Sequence, residues 1–163
     1  MLPARSILRA PQPATTDSVT LSYDARFLRR KRLTTDAGAS FMVDLPETTS
    51  LNHGDAFVLD DGRKIAVLAA QEPVVRVTGP LPRLAWHIGN RHTPCQVETD
   101  HLVIRRDPVI EEMLRGLGAV LTLQIAPFTP EGGAYGHGRT MGHDHGPAEQ
   151  PHAFASLFAR TNG

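Results

Sequence analysis

The chain has 163 residues, a length that allows one domain or two small ones and the burial of a hydrophobic core. Seventeen basic and 17 acidic side chains give a formal net charge of zero, which argues against a protein that binds nucleic acid or anionic membranes. Hydrophobic residues make up 40% of the chain and charged residues 21%, values typical of soluble globular proteins. Histidine is the unusual residue, because four of the 8 histidines follow position 136.

The chain contains a single cysteine, Cys95, which cannot form an intramolecular disulfide bond and favours a reducing compartment. Its first residues lack the continuous apolar stretch of a signal peptide. No stretch approaches the ~18 apolar residues that a membrane-spanning helix needs. These features predict a cytoplasmic protein that does not enter a membrane.

Residues 18–71 show short strands separated by turn signals, which predicts a small all-β domain over residues 1–73 without a helix. The Asp-Gly pair at Asp61-Gly62 predicts a hairpin. The basic run at 27–33 is interpreted as a solvated strand face rather than an anion site. His53 is interpreted as a turn residue.

Residues 74–127 change pattern and predict a second domain of order β-α-β-β-α-β, the ferredoxin-like plan, so the fold class is α+β. Gly89-Asn90 is expected to end the first helix in the left-handed conformation. Asp107 is expected to cap the second helix and Gly118 to end it. The predicted strands cover 74–77, 95–98, 102–105 and 120–125, the first helix covers 81–90, and the apolar face of the second helix comprises Val109, Ile110, Met113, Leu114 and Leu117.

Residues 128–163 lose this periodicity and are rich in glycine, so we expect a flexible tail that buries no core. Neutral imidazole suits nickel, zinc and copper, and a flexible backbone favours capture and release of an ion over a permanent structural site. An idle polar tail is the alternative. The tail histidines are His137, His143, His145 and His152.

His92 is expected just past the end of the first helix, on a segment restricted by Pro94. His87 lies five residues earlier, roughly 140° around the helix, so the two cannot readily chelate one ion. If His92 binds a metal, it needs partners from elsewhere. A C-cap or core histidine is the alternative.

Motifs of known enzyme classes are absent from the sequence: it has no His-Glu-x-x-His, no phosphate-binding glycine loop and no Cys-x-x-Cys. Cys95 is interpreted as a buried strand cysteine rather than a nucleophile, because no third orienting group is evident. We therefore expect a protein that is not an enzyme.

In combination, three motifs resemble the urease accessory protein UreE family of nickel metallochaperones, and the resemblance covers nearly the whole chain. The motifs stand in the family's order around the β-α-β-β-α-β pattern and precede a histidine-bearing tail. They are Trp86-His87-Ile88-Gly89-Asn90-Arg91-His92-Thr93-Pro94, Asp107-Pro108-Val109-Ile110-Glu111-Glu112-Met113-Leu114, and Pro130-Glu131-Gly132-Gly133-Ala134-Tyr135.

The resemblance implies that His92 is the nickel ligand, in homodimers whose two copies of this histidine meet across the two-fold axis. The tail histidines would add or exchange ligands, and Zn(II) or Cu(II) would compete with the Ni(II) cargo. The family delivers nickel to the urease apoprotein assembly complex together with the urease accessory GTPase, and its N-terminal domain serves protein contacts. A metal-independent assembly factor with an incidental tail is the alternative.

This sequence departs from some members of the family at two places. Arg105, Arg106 and Pro108 stand where some relatives carry further histidines, so a second internal metal site is not expected. The tail has four histidines rather than a long uninterrupted run, so storage of many ions is not expected either.

Overall fold

A computed structural model describes residues 1–133, and the four tail histidines lie outside this range. Within it the chain forms two β-sheets and two α-helices. Neither of these helices is long and apolar enough to span a bilayer. The elements are β1 Pro3–Leu8, β2 Asp17–Leu21, a 3₁₀ helix Asp24–Arg26, β3 Phe27–Thr34, β4 Ser40–Ser50, β5 Ala56–Leu59, β6 Lys64–Ala69, β7 Gln71–Thr78, α1 Leu81–Asn90, β8 Gln96–Val97, β9 Leu102–Arg105, α2 Pro108–Gly116 and β10 Val120–Pro127.

The first sheet has six strands in the order β2-β6-β5-β1-β4-β3, with β1 parallel to β4 and β2 parallel to β6. Its core includes Phe41 and Phe57, whose rings meet edge to face at 5.4 Å. The predicted strands of this region and the β5–β6 hairpin are therefore confirmed. The expectation of no helix is wrong at residues 24–26, and strand β1 was not predicted. Only Ala4 of β1 is buried, so its sequence carries no alternating apolar pattern.

The second sheet has four antiparallel strands in the order β10-β7-β9-β8. Leu84 and Ile88 of α1 and Ile110 and Leu114 of α2 pack against one face of this sheet. The predicted β-α-β-β-α-β order is the observed one. The prediction that Val109 belongs to the buried face of α2 is wrong, because Val109 is 65% exposed.

Strand β7 begins at Gln71, three residues before the predicted start, and Pro73 lies inside it. Proline is tolerated there because, at this position, β7 pairs with β10 alone. Pro73 lies opposite Ile125 of β10, whereas pairing with β9 begins at Val74. Strand β8 has two residues instead of the predicted four, and β10 continues to Pro127.

The two sheets meet at a third apolar cluster formed by Tyr23, Val74, Val103 and Phe128. Phe128 is fully buried and its ring packs edge to face against Tyr23 at 5.3 Å. The expectation that residues from 128 onward bury nothing is therefore wrong for Phe128. The chain folds back after β10, a tertiary contact that has no local sequence pattern.

Candidate metal site

His92 follows Arg91, the C-cap residue of α1, and lies in the left-handed region with φ of 57°. Its backbone N–H donates to the carbonyl oxygen of Gly89 at 2.9 Å, and the N–H of Thr93 donates to the carbonyl oxygen of Ile88 at 3.3 Å. This pair of hydrogen bonds is the Schellman motif, in which the first residue beyond the cap is left-handed and is usually glycine. Gly89 and Asn90 stay within α1, so the expectation that they leave the helix in the left-handed conformation is wrong.

The end of α2 provides an internal comparison, because it forms the same motif. There the N–H of Gly118 donates to the carbonyl oxygen of Arg115 and the N–H of Ala119 donates to the carbonyl oxygen of Leu114, both at 3.0 Å. Gly118 has φ of 93°, and Asp107 accepts hydrogen bonds at the start of the helix, so both predicted ends of α2 are confirmed. The left-handed conformation costs an L-residue roughly 1–2 kcal/mol, which glycine avoids. His92 therefore occupies a position that favours glycine.

The imidazole of His92 is exposed and makes no hydrogen bond or ion pair with any residue of the described range. Each of the other three histidines in residues 1–133 has a contact. His53 accepts a hydrogen bond from the N–H of Ala69 through Nδ1, in the turn where it was predicted. His101 lies 2.6 Å from Asp100, and His87 packs edge to face against Trp86.

The chain after β10 runs back toward the segment that carries His92. The N–H of Thr129 donates to Oε1 of Gln96, and the N–H of Glu131 donates to the carbonyl oxygen of Cys95, each at 2.9 Å. Glu131 is thus fixed beside a residue only three positions from His92. Sequence reasoning did not assign a role to Gln96 or Glu131, although Glu131 falls in one of the three family motifs.

Cys95 lies just before β8 and is partly buried, so its predicted place in a strand is wrong by one residue. Burial, with a smaller contribution from the Glu131 carboxylate, raises the pKa of the Cys95 thiol to about 11. A thiol with this pKa is protonated at neutral pH, and it is the thiolate that binds metals or acts as a nucleophile. Cys95 is therefore a poor nucleophile, and a metal ion would have to displace the thiol proton before it could bind there.

The start of α2 is occupied by an ion-pair network rather than by metal ligands. Buried Glu111 accepts hydrogen bonds from Arg106 at 3.1 Å and from the N–H of Asp107 at 2.8 Å. Burial opposes ionisation of Glu111, but these two donors outweigh it, and the pKa of Glu111 lies below its usual value. Arg105 pairs with Asp24 at 2.9 Å. Both arginines that replace the histidines of some relatives thus have structural partners.

Residues 1–133 contain no group of three or more histidine, cysteine or acidic side chains that could hold a metal ion. A set of three such ligands that includes His92 would therefore need at least one side chain from residues 134–163 or from a second molecule. The predicted ligands His137, His143, His145 and His152 all lie in that remaining part of the chain.

Comparison with known proteins identifies related sequences along most of the chain. Residues 1–70 match the family model described as UreE urease accessory protein, N-terminal domain, and residues 72–154 match that of the C-terminal domain. A protein of Cereibacter sphaeroides named urease accessory protein UreE is 70% identical over 131 residues, which is 80% of this chain and 72% of the relative. A Rhodobacter capsulatus protein of the same name is 64% identical over 131 residues, which is 80% of this chain and 84% of the relative.

Proposed function

Because the chain belongs to the UreE family of urease accessory proteins, we propose that it is a nickel-binding metallochaperone that delivers Ni(II) to the urease assembly complex. In this role the protein is a carrier rather than an enzyme, and nickel is its cargo. The urease apoprotein and the urease accessory GTPase are the proposed partners, and the cytoplasm is the proposed location. The β-α-β-β-α-β unit is the proposed ferredoxin-like metal-binding domain.

The observation that carries this proposal is the left-handed histidine at the end of α1. At the same position after α2 the chain has Gly118, the residue that this conformation favours. Backbone strain of this kind is concentrated at functional sites, where the side chain is needed for a purpose other than stability. An exposed imidazole that has no hydrogen-bond partner among residues 1–133 and is held on a fixed turn is suited to bind a metal ion.

The position of Glu131 supports the participation of the tail histidines. An extended chain covers at most about 3.3–3.6 Å per residue, so the maximum reach of the six residues from Glu131 to His137 is about 20 Å. His92 lies at most about 10 Å from Cys95 by the same estimate, and the N–H of Glu131 is hydrogen-bonded to the carbonyl oxygen of Cys95. His137 can therefore reach His92 of the same molecule, and the more distant His143, His145 and His152 have longer reach.

A homodimer would supply a second copy of His92 to the same ion. Several large apolar side chains of the second domain are exposed, among them Trp86 on the helix that ends beside His92. Such side chains are more frequent at protein interfaces than elsewhere on a surface. They support a partner on this domain, and we propose that this partner is a second copy of the chain.

Nickel titration by equilibrium dialysis or calorimetry tests this proposal with the full-length protein. His92→Asn removes the imidazole but keeps a residue that tolerates the left-handed conformation. His87→Asn, the same substitution within the preceding helix α1, is the matched control. Removal of a residue that only hydrogen-bonds a metal ligand typically lowers metal affinity about 10–100-fold. Removal of the ligand His92 itself should therefore weaken the tightest nickel-binding event at least about a hundredfold. His87→Asn should leave that event unchanged.

If wild-type protein bound no nickel, the protein would instead be a metal-independent assembly factor whose tail is incidental. If His92→Asn bound nickel as tightly as wild type, the metal site would lie elsewhere. Titration with Zn(II) and Cu(II) establishes competition, which we expect because copper normally exceeds nickel in affinity for imidazole sites.

A further inference from the structure

Strand β3 forms one edge of the first sheet and pairs only with β4 among the strands of residues 1–133. In an antiparallel pair the N–H and C=O groups of alternate residues point away from the neighbouring strand. Over its eight residues β3 therefore presents a row of backbone donors and acceptors to whatever lies beside the sheet.

Four consecutive cationic side chains, at positions 29–32, are exposed along this edge. Arg30 forms an ion pair with Asp44 at 2.9 Å, and Nε of Arg29 donates to the carbonyl oxygen of Leu45 at 3.2 Å. Lys31 and Arg32 form no ion pair with any residue of the described range. The edge thus carries a positive charge that this part of the chain leaves uncompensated.

This concentration of positive charge is local. The chain as a whole has a formal net charge of zero. Most arginines elsewhere in residues 1–133 have acidic partners, for example Arg9 with Asp55 and Arg63 with Asp61, both at 2.8 Å. A general excess of basic residues therefore does not explain the edge.

Apolar side chains accompany the cations. Phe27 at the start of β3 is 50% exposed, and Met42, which lies opposite Arg32 on β4, is 36% exposed. Large apolar groups beside charged ones are typical of surfaces that bind a protein segment, because they supply contact area while the charges select the partner.

Charged residues on edge strands commonly prevent sheets from pairing with each other. A second copy of β3 would place cations opposite cations, which destabilises strand pairing, whereas an acidic strand would place carboxylates there. The same residues that exclude self-association therefore favour one class of partner. We propose that the edge of β3 is the docking site for an extended acidic segment of another protein, which adds to the first sheet beside β3 with its carboxylates next to Lys31 and Arg32.

A peptide fits this edge better than a nucleic acid does. A phosphate backbone could use the four cations but has no row of amide groups to match the backbone donors and acceptors of β3. The zero net charge of the chain also gives little general attraction for polyanions. The proposal concerns the first sheet and does not depend on nickel binding.

The test uses the full-length protein without metal and a fluorescent peptide in which pairs of glutamates alternate with pairs of valines, with binding measured by anisotropy at low ionic strength. Successive side chains of a strand point to opposite faces, so each glutamate pair places one carboxylate on the face of Lys31 and one on the face of Arg32. Lys31→Glu/Arg32→Glu should weaken binding roughly tenfold or more, because two attractive cross-strand pairs become repulsive. Lys31→Glu should weaken it less than the double variant. Arg83→Glu, the same charge change at an exposed residue of α1, should have no effect. Circular dichroism and thermal unfolding establish that each variant is folded.

Two further ligands make the test specific. A peptide of equal charge with proline in place of every valine cannot form a strand, and it should bind clearly more weakly. If it bound equally well, or if a single-stranded oligonucleotide of equal charge bound more tightly than the strand-forming peptide, strand addition would be excluded. Equal binding by wild type and the folded double variant would also overturn the proposal.

Discussion

The buried guanidinium of Arg26 donates a hydrogen bond to the carbonyl oxygen of Phe128, 102 positions further along the chain. The same side chain donates to the carbonyl oxygens of Leu21 at 3.0 Å and Leu51 at 3.3 Å. Arg26 thus joins the first sheet to the segment that leaves the second sheet and returns toward Cys95. This contact, together with the hydrogen bonds that Thr129 and Glu131 donate, holds the segment in place.

Replacement of Arg26 by alanine should lower the free energy of unfolding by about 3 kcal/mol, because three buried carbonyl groups lose a charged donor. Arg26→Lys should give an intermediate loss, since a lysine cannot reproduce the geometry of the guanidinium. Urea denaturation of both variants measures these changes. A loss in Arg26→Ala below about 0.5 kcal/mol, the range of neutral surface substitutions, would show that the contact does not stabilise the fold.

Two truncations should separate the structural part of the C-terminal segment from the remainder. Truncation after Tyr135 keeps Phe128 and Glu131, so the free energy of unfolding should change by less than about 0.5 kcal/mol. Truncation after Pro127 removes a fully buried phenylalanine and should lower the free energy of unfolding by about 3 kcal/mol or more.

The truncation after Tyr135 removes all four tail histidines, so the proposed function predicts fewer or weaker nickel-binding events in this variant. Dialysis against nickel, run beside the denaturation curves, measures both properties on the same protein. If the variant truncated after Tyr135 were unfolded or aggregated, the tail would have a structural role.

Local signals in the sequence predicted the elements whose ends are determined by neighbouring residues. The bounds of α1 agree with its apolar spacing, and Asp107 accepts from two backbone N–H groups as its position before Pro108 predicts. Features that depend on distant contacts were not predicted. Strand β1 has almost no apolar pattern and pairs with residues more than thirty positions away, and Phe128 is buried against Tyr23 of the other sheet.

At the candidate site, too, local signals predicted only part of the structure. The position of His92 just past a helix was predicted, but the left-handed conformation was expected at Gly89 and Asn90, which normally tolerate it. The observed helix continues through both and leaves the strain on His92. Residue preferences could not predict this result, because the left-handed position is occupied by histidine, which adopts that conformation less readily than glycine or asparagine.

The strain at His92 leads to the prediction that removal of this proposed metal ligand stabilises the fold. His92→Gly should raise the free energy of unfolding by roughly 0.5–1 kcal/mol. Glycine avoids the steric cost of roughly 1–2 kcal/mol in the left-handed conformation, but part of this gain is offset because glycine loses more conformational entropy on folding. His87→Gly, inside α1, should instead lower the free energy of unfolding, by roughly 0.3–0.5 kcal/mol through the weaker helix propensity of glycine and further through the lost contact with Trp86. Chemical denaturation of the two variants measures the difference. A destabilised His92→Gly would show that the imidazole itself stabilises the fold.

Nickel release in acid distinguishes an imidazole site from a thiolate site. A ligand imidazole has a reference pKa of ~6.5, so apparent nickel affinity should be nearly constant above about pH 7 and should fall as protons compete below it. The folded-state pKa of Cys95 is about 11, above the ordinary value of 9.0. A thiolate site would therefore release a proton at every pH below this value, and its apparent affinity would fall by about tenfold per pH unit from pH 9 through neutrality.

Calorimetric titrations between pH 6 and pH 9 on wild type and Cys95→Ser measure this dependence. We expect a plateau above neutrality in both proteins and a decline below it. The metal ion competes with protons for the ligand nitrogen, so the release of nickel should extend to pH values below those at which a free imidazole becomes protonated. Loss of nickel binding in Cys95→Ser together with normal binding in His92→Asn would identify a thiolate-centred site, because a serine hydroxyl cannot replace a thiolate ligand while the imidazole would then be dispensable.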